Sequence, residues 1–144
     1  MFISSMTDRG ATPAMVKMLA FNEVRLKTIA ENVANIQTPG YRAKQLDAAA
    51  FQRSLREALD ARARDPNKPF DVRSGDEVRT DPQGFLRVNP SEKPVDNILF
   101  HDGTNSSIER EMADLAETGM THELFTALLN GRINGLRKAI RGTL

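Results

Sequence analysis

The chain has 144 residues, enough for one domain or one domain with extensions. Its 20 basic and 19 acidic residues nearly cancel, which removes the basic excess expected of a nucleic-acid binder. It has no cysteine, so disulfides, thiolate metal sites and cysteine nucleophiles are excluded. A hydrophobic content of 40% and a mean hydropathy of −0.44 are lean for one large core.

The segment Met1-Phe2-Ile3-Ser4-Ser5-Met6-Thr7-Asp8-Arg9 lacks the basic start and continuous apolar run of a secretory signal. No apolar stretch approaches the roughly 20 residues that span a bilayer. The expectation is a soluble chain without a membrane span, exported, if at all, without a cleaved signal.

The first helix is predicted to start between Asp8 and Pro13, with Thr12 as cap and Pro13 at the first helical position. Met15, Leu19, Asn22, Leu26, Ile29, Val33 and Ile36 follow at alternating spacings of four and three, a heptad stripe. Such strict spacing favours a coiled-coil seam. Asn22 within it reads either as a register device or, more simply, as a tolerated edge position. Thr38-Pro39-Gly40 stops the helix: Pro39 has no N–H to donate and drives Thr38 out of the helical region. Pro39-Gly40 fits the centre of a type II turn, with Gly40 at positive φ and Tyr41 following as an anchor.

Phe51, Leu55 and Leu59 recur every four residues and predict a shorter helix over 48–63, ended by Asp65-Pro66-Asn67-Lys68-Pro69. Residues 67–105 read as a loop-rich insert that can hold one hairpin, with Glu77–Thr80 and Gly84–Val88 flanking Asp81-Pro82-Gln83-Gly84. After an Asp102-Gly103 turn, Ser106 and Glu109 suggest a capping box. The last helix should run from about Ser107 to Ile140. Its stripe is Met112, Leu115, Gly119, His122, Phe125, Leu129, Ile133, Leu136 and Ile140. Acids lead this helix and bases (Arg132, Arg137, Lys138, Arg141) close it, complementing the dipole, and Gly142 suits its C-terminal cap. Long apolar stripes at both ends, with little core between, must pair with each other, with copies of the chain, or with a partner.

The pattern Asn32, Asn35, Thr38, Gly40, Tyr41 at the end of the first helix resembles the bacterial flagellar axial proteins, the rod and hook subunits. Within that family the Thr38-Pro39-Gly40-Tyr41 turn and two parts of the tail are most similar to the proximal rod subunits. The tail parts are Ile108-Glu109-Arg110-Glu111-Met112-Ala113-Asp114-Leu115-Ala116 and Ala127-Leu128-Leu129-Asn130-Gly131-Arg132-Ile133-Asn134-Gly135-Leu136-Arg137-Lys138-Ala139-Ile140. The resemblance covers about residues 10–45 and 100–141. It departs at Glu117-Thr118-Gly119-Met120, where the family more often has polar and aromatic residues.

The resemblance implies a structural subunit of the proximal rod of the flagellar basal body, transmitting torque from rotor to hook and filament and lying in the periplasm. It implies as partners further copies, other rod subunits, adaptors between rotor ring and rod, and the flagellar type III export apparatus. The rivals are another axial subunit, a helical adaptor or chaperone, and a wall hydrolase.

No constellation of residues points to an enzyme or a cofactor. His101 and His122 lack the neighbours of a metal or acid–base site, and His122 reads as a packed, satisfied side chain. Glu109, Glu111, Asp114 and Glu117 read as a solvated face with subunit contacts, Arg110 pairing with Asp114. No phosphate-cradling glycine loop is present.

The expected fold is mainly α. The N-terminal unit 1–41 and the C-terminal unit 106–144 pair as an antiparallel coiled coil, and 42–105 supplies the short third helix and the insert. The expected seam residues are Leu19, Leu26, Val33, Met112, Leu115, Phe125, Leu129 and Leu136. The exit geometry rests on Asn32, Asn35, Thr38, Pro39, Gly40 and Tyr41.

Overall fold

The computed structural model describes residues 11–72, 75–92 and 107–142. The N-terminal nonapeptide, His101, the Asp102-Gly103 turn and Ser106 lie outside them. Helix α1 spans Thr12–Ala34, α2 Ala48–Arg64 and α3 Ile108–Arg141. Strands β1 (Lys44–Gln45) and β4 (Ser91–Glu92) form one antiparallel pair, and β2 (Val78–Thr80) and β3 (Leu86–Val88) another. The fold is mainly helical, with these two small sheets in the middle of the chain.

Each helix end has a local cause. Thr12 is the first helical residue of α1 rather than its cap: the N-cap is Ala11, whose methyl offers no acceptor for the first N–H groups, and Thr12 is buried. Helix α1 stops at Ala34, with Asn35 as C-cap, short of the Ile36 that the heptad stripe included. Helix α2 is capped by Asp47, whose carboxylate accepts from the Ala50 N–H, and its last turn carries Arg62 and Arg64. The N-cap of α3 is Ser107, which accepts from the Arg110 N–H; the box expected of Ser106 and Glu109 involves a residue outside the described ones. Gly142 closes α3 at φ 66°, the left-handed conformation that glycine adopts without strain.

The hairpin β2–β3 has Val78 opposite Val88 and Thr80 opposite Leu86. Asp81 builds its turn, accepting from the N–H groups of Gln83 and Phe85.

The core joins one face of α1 to the middle of the chain. Ala14, Met18 and Phe21 pack with Leu46, Phe51, Leu55, Ala58, Val72 and Val78. The rings of Phe21 and Phe51 stack with centroids 4.2 Å apart and planes 5° apart. Phe125 is the α3 side chain packed against this cluster. The middle segment therefore supplies the partner for α1's most buried apolar side chains, a role the sequence reading had given to the other terminal helix.

Helices α1 and α3 also make the most extensive contact between elements. Asn32 meets Glu111, Arg25 meets Asp114 and Glu117, and the Met18–Phe21 cluster meets Phe125, so α3 runs back along α1. This contact mixes polar and apolar side chains. The buried residues of α3 are Glu111 and Thr118, and the Thr118 hydroxyl is satisfied by the Asp114 carbonyl of its own helix at 2.6 Å.

The stripes and the buried positions overlap without coinciding. On α1 the buried residues include Ala14, Met18, Phe21, Thr28 and Asn32 together with Asn22 and Ile29 of the stripe, while Met15, Leu19, Leu26 and Val33 are half-buried. On α3 Glu111 and Thr118 are buried, Leu115, Phe125, Leu129 and Leu136 are half-buried, and Met112 is 47% exposed.

Candidate functional site

The turn motif is organised by one buried side chain. Asn32 is 2% exposed. Its Nδ2 donates to the Lys44 carbonyl at 2.8 Å and to Glu111 Oε2 at 3.0 Å. Its Oδ1 accepts from the Lys44 N–H at 2.9 Å and from the Tyr41 hydroxyl at 3.2 Å. An amide has two donors and two acceptor lone pairs, and all four are used. Asn32 thus binds the end of α1, the strand after the turn and the start of α3 into one knot. This answers the solvated-face reading for Glu111, which is fully buried because Asn32 is there to receive its carboxylate.

The other motif residues shape the chain between Asn32 and Lys44. Asn35 Nδ2 donates back to the Glu31 carbonyl at 2.8 Å, and its own carbonyl accepts from the Thr38 N–H at 2.9 Å. The Tyr41 N–H donates to the Thr38 carbonyl at 3.1 Å, closing a turn with Pro39 and Gly40 at its centre. Gly40 has φ 76°, as the third position of a type II turn requires. The turn returns Tyr41 to Asn32. Burial, with the Glu31 and Glu111 carboxylates nearby, holds the Tyr41 phenol above its ordinary pKa of 10.0.

Two polar atoms in the α1–α3 contact lack partners. Asn22 is 2% exposed, so it is not an edge position, and its Nδ2 is buried without a hydrogen bond. His122 Nδ1 is likewise buried and unpaired, so His122 is not satisfied. Asn22 lies between the Arg25 rung and the Met18–Phe21 cluster; His122 lies between Glu117 and Phe125. Asp114 faces Arg25 Nη2 at 3.5 Å.

Away from α1, α3 exposes large apolar side chains: Ile108, Met112, Met120, Leu124, Leu128 and Ile140. A helix that is apolar on more than one side is ordinarily buried on more than one side.

Lys17 was missed in the sequence. It is buried, and its Nζ donates to the Gly84 carbonyl at 2.9 Å, tying the hairpin turn to α1. Burial pulls its pKa below the ordinary 10.5, against the opposing pull of Asp71 and Asp81. A lysine within an apolar helical stretch carries no sequence signal for this.

A cleft of about 340 Å³ lies between α2 and the small sheets, lined by Asp47, Phe51, Ser54, Glu77, Val78 and Ser91 among others. Two of its carboxylates are occupied. Asp47 caps α2, and Glu77 accepts from the Asp47 N–H and the Ser91 hydroxyl.

The signature knot and its turn match a described family. The family profile "Flagella basal body rod protein" matches residues 19–42, the second half of α1 together with the turn. The chain is 33% identical over 108 residues to the flagellar basal body rod protein FlgB of Borrelia hermsii, covering 72% of this chain and 75% of that one. The chain belongs to the flagellar basal body rod protein FlgB family.

Other members are similar over most of their length. The FlgB of Bacillus subtilis is 26% identical over 133 residues, covering 92% of this chain and 95% of its own. The FlgB of Cereibacter sphaeroides is 30% identical over 129 residues, covering 86% and 88%. Membership in the FlgB family makes the chain a structural subunit of the flagellar basal-body rod. Of the residues matched by the profile, Asn32 and Tyr41 are the two whose side chains meet in the knot.

Proposed function

We propose that this rod subunit stands in the proximal rod, where it passes torque from the rotor toward hook and filament. The observation that carries this is α3: a helix of 34 residues, about 51 Å at 1.5 Å per residue, that is apolar on faces its own chain does not cover. Surface of this kind is stable in a subunit whose neighbours cover it. The half-buried stripe Met15, Leu19, Leu26 and Val33 offers α1 a second contact of the same sort. In the assembled rod, α1 and α3 would tighten into an antiparallel coiled coil, and copies would stack through heterologous contacts, which do not close.

The partners of this reading are further copies, other rod subunits and the adaptors at the rotor ring, with delivery to the periplasm by the flagellar type III apparatus without a cleaved signal. Among the described residues no helix is long and apolar enough to cross a membrane. A catalytic role is not part of this reading: in the 340 Å³ cleft, Asp47 and Glu77 are committed to backbone and hydroxyl groups.

An in-frame deletion in the source organism tests it, scored by swimming in soft agar and by electron microscopy of purified basal bodies. Rings without rods, rescued by the intact gene, are expected. Motile cells with complete basal bodies would overturn the proposal.

A further inference from the structure

The facing lines of α1 and α3 form a ladder with one rung left open. On α1, Met18, Asn22, Arg25, Ile29 and Asn32 recur at steps of three and four and share a face. On α3, Glu111, Asp114, Thr118, His122 and Phe125 do the same. Asn32 bonds Glu111 at one end, and Met18 and Phe125 share the apolar cluster at the other. Between these ends Arg25 reaches Asp114 and Glu117. Counting ten residues back along α1 from Asn32 and eleven forward along α3 from Glu111 brings Asn22 level with His122.

Among the described residues, Asn22 Nδ2 and His122 Nδ1 are the buried side-chain atoms of this contact that have no hydrogen-bond partner. Asn22 Nδ2 is a donor. His122 Nδ1 is an acceptor when the neutral ring carries its proton on Nε2. The two atoms are level and complementary, yet they do not bond within the chain by itself. The neighbouring cations are engaged elsewhere: Arg25 is held by Asp114 and Glu117, and Lys17 by the Gly84 carbonyl. Polar groups buried unmet disfavour the packing that buries them.

We propose that Asn22 Nδ2 donates to His122 Nδ1 once α1 and α3 tighten in the rod, and that this bond is open in the lone subunit. In the lone subunit, pairing the helices buries both atoms unmet, so the rung works against pairing. In the rod, neighbours on the outer face of α3 press it onto α1 and the bond closes, so the same rung works for pairing. Asn22 and His122 thereby tie the closing of the two helices to assembly. A polar residue within an apolar stripe gives up stability for specificity in the same way. The clasp presupposes the rod reading, in which assembly tightens α1 on α3.

The test complements the deletion strain with Asn22→Leu, His122→Leu or His122→Asn and counts rods on purified basal bodies by electron microscopy. Asparagine sets an acceptor oxygen where histidine has Nδ1, so His122→Asn should keep its rods. Each leucine variant removes one side of the bond and should lose them. In the free full chain, circular dichroism should show both leucine variants at least as helical as the parent and melting no lower. Each has removed an unpaired buried group, and leucine favours a helix. Loss of rods then does not come from misfolding. Rods in normal number from either leucine variant would overturn the clasp. Equal loss from His122→Asn and His122→Leu would overturn it too, as would a leucine variant that melts below the parent. The uncomplemented strain separates the two readings. Rods there overturn the rod assignment, whereas rods absent there but normal in a leucine variant overturn the clasp alone.

Discussion

Asn32 and Glu111 stand 79 positions apart and meet at 3.0 Å in a fully buried contact. One residue begins the signature motif near the end of the first helix and the other lies in the first turn of the last helix, so this bond ties those two helices together. It also sets where α3 begins its return along α1, and with it which face of α3 is left outward.

Removing that amide should be costly. In Asn32→Ala the Glu111 carboxylate and the Lys44 backbone lose partners in a buried site, and an unsatisfied buried polar group costs about 1–3 kcal/mol. We expect a loss of about 3 kcal/mol in urea unfolding. Asn35→Ala, which loses a bond to the exposed end of its own helix, should cost about 0.5 kcal/mol. Equal losses in the two variants would contradict the special place of Asn32.

Tyr41 gives a direct optical reading of the same knot. It is the single tyrosine, and the chain has no tryptophan, so phenolate absorbance reports this residue alone. Its folded pKa lies above 10.0. The folded state therefore holds the phenol proton more tightly than the unfolded chain, and this contribution to stability is full below pH 10 and fades as pH rises through the folded pKa. Titration of the native protein should have its midpoint above 10.0, and titration in denaturant should return it to the ordinary value. A native midpoint at or below 10.0 would contradict the buried hydroxyl.

Lys17 should act with the opposite slope. Its folded pKa is lowered, so between that value and 10.5 the unfolded chain binds more protons, and its contribution to stability rises with pH. The stability of the parent protein relative to Lys17→Met should increase from neutral pH toward pH 10. A flat difference would show that the ammonium is not desolvated in the fold.

How far the sequence could be read depends on what each residue answers to. Positions that punctuate the chain were legible: Pro39-Gly40 made the turn, Phe51 and Leu55 marked α2, and Asp81-Pro82-Gln83-Gly84 marked the hairpin. Those features are local, fixed by φ, missing N–H groups and four-residue spacing. The motif residues of the candidate site were legible as a pattern, but their partner Glu111 was not, because nothing in a helical run of acids singles out the one that meets an amide 79 positions away. The stripes met the buried positions only in part, at Asn22 and Ile29 on α1, for a similar reason. Periodicity reports apolar faces, whichever partner covers them, and the faces used within this chain also bury Asn22, Thr28, Asn32, Glu111 and Thr118.

Asn22 is a place where stability has been left unused. Its buried Nδ2 has no partner, so Asn22→Leu, similar in size, should stabilise the isolated subunit by about 1 kcal/mol, or roughly 3 °C in Tm. Scanning calorimetry checks this. A lower Tm would mean that the amide is satisfied in solution.

The most direct test of the central claim, that the outer face of α3 is what the rod assembles on, is electron microscopy of basal bodies from a deletion strain complemented with Leu124→Asp/Leu128→Asp. Both side chains are exposed in the subunit, at 57% and 46%, so the variant should fold with unchanged circular dichroism and an unchanged Tyr41 titration. The account predicts rings without rods and no swimming. Complete rods and normal swimming from that folded variant would contradict it.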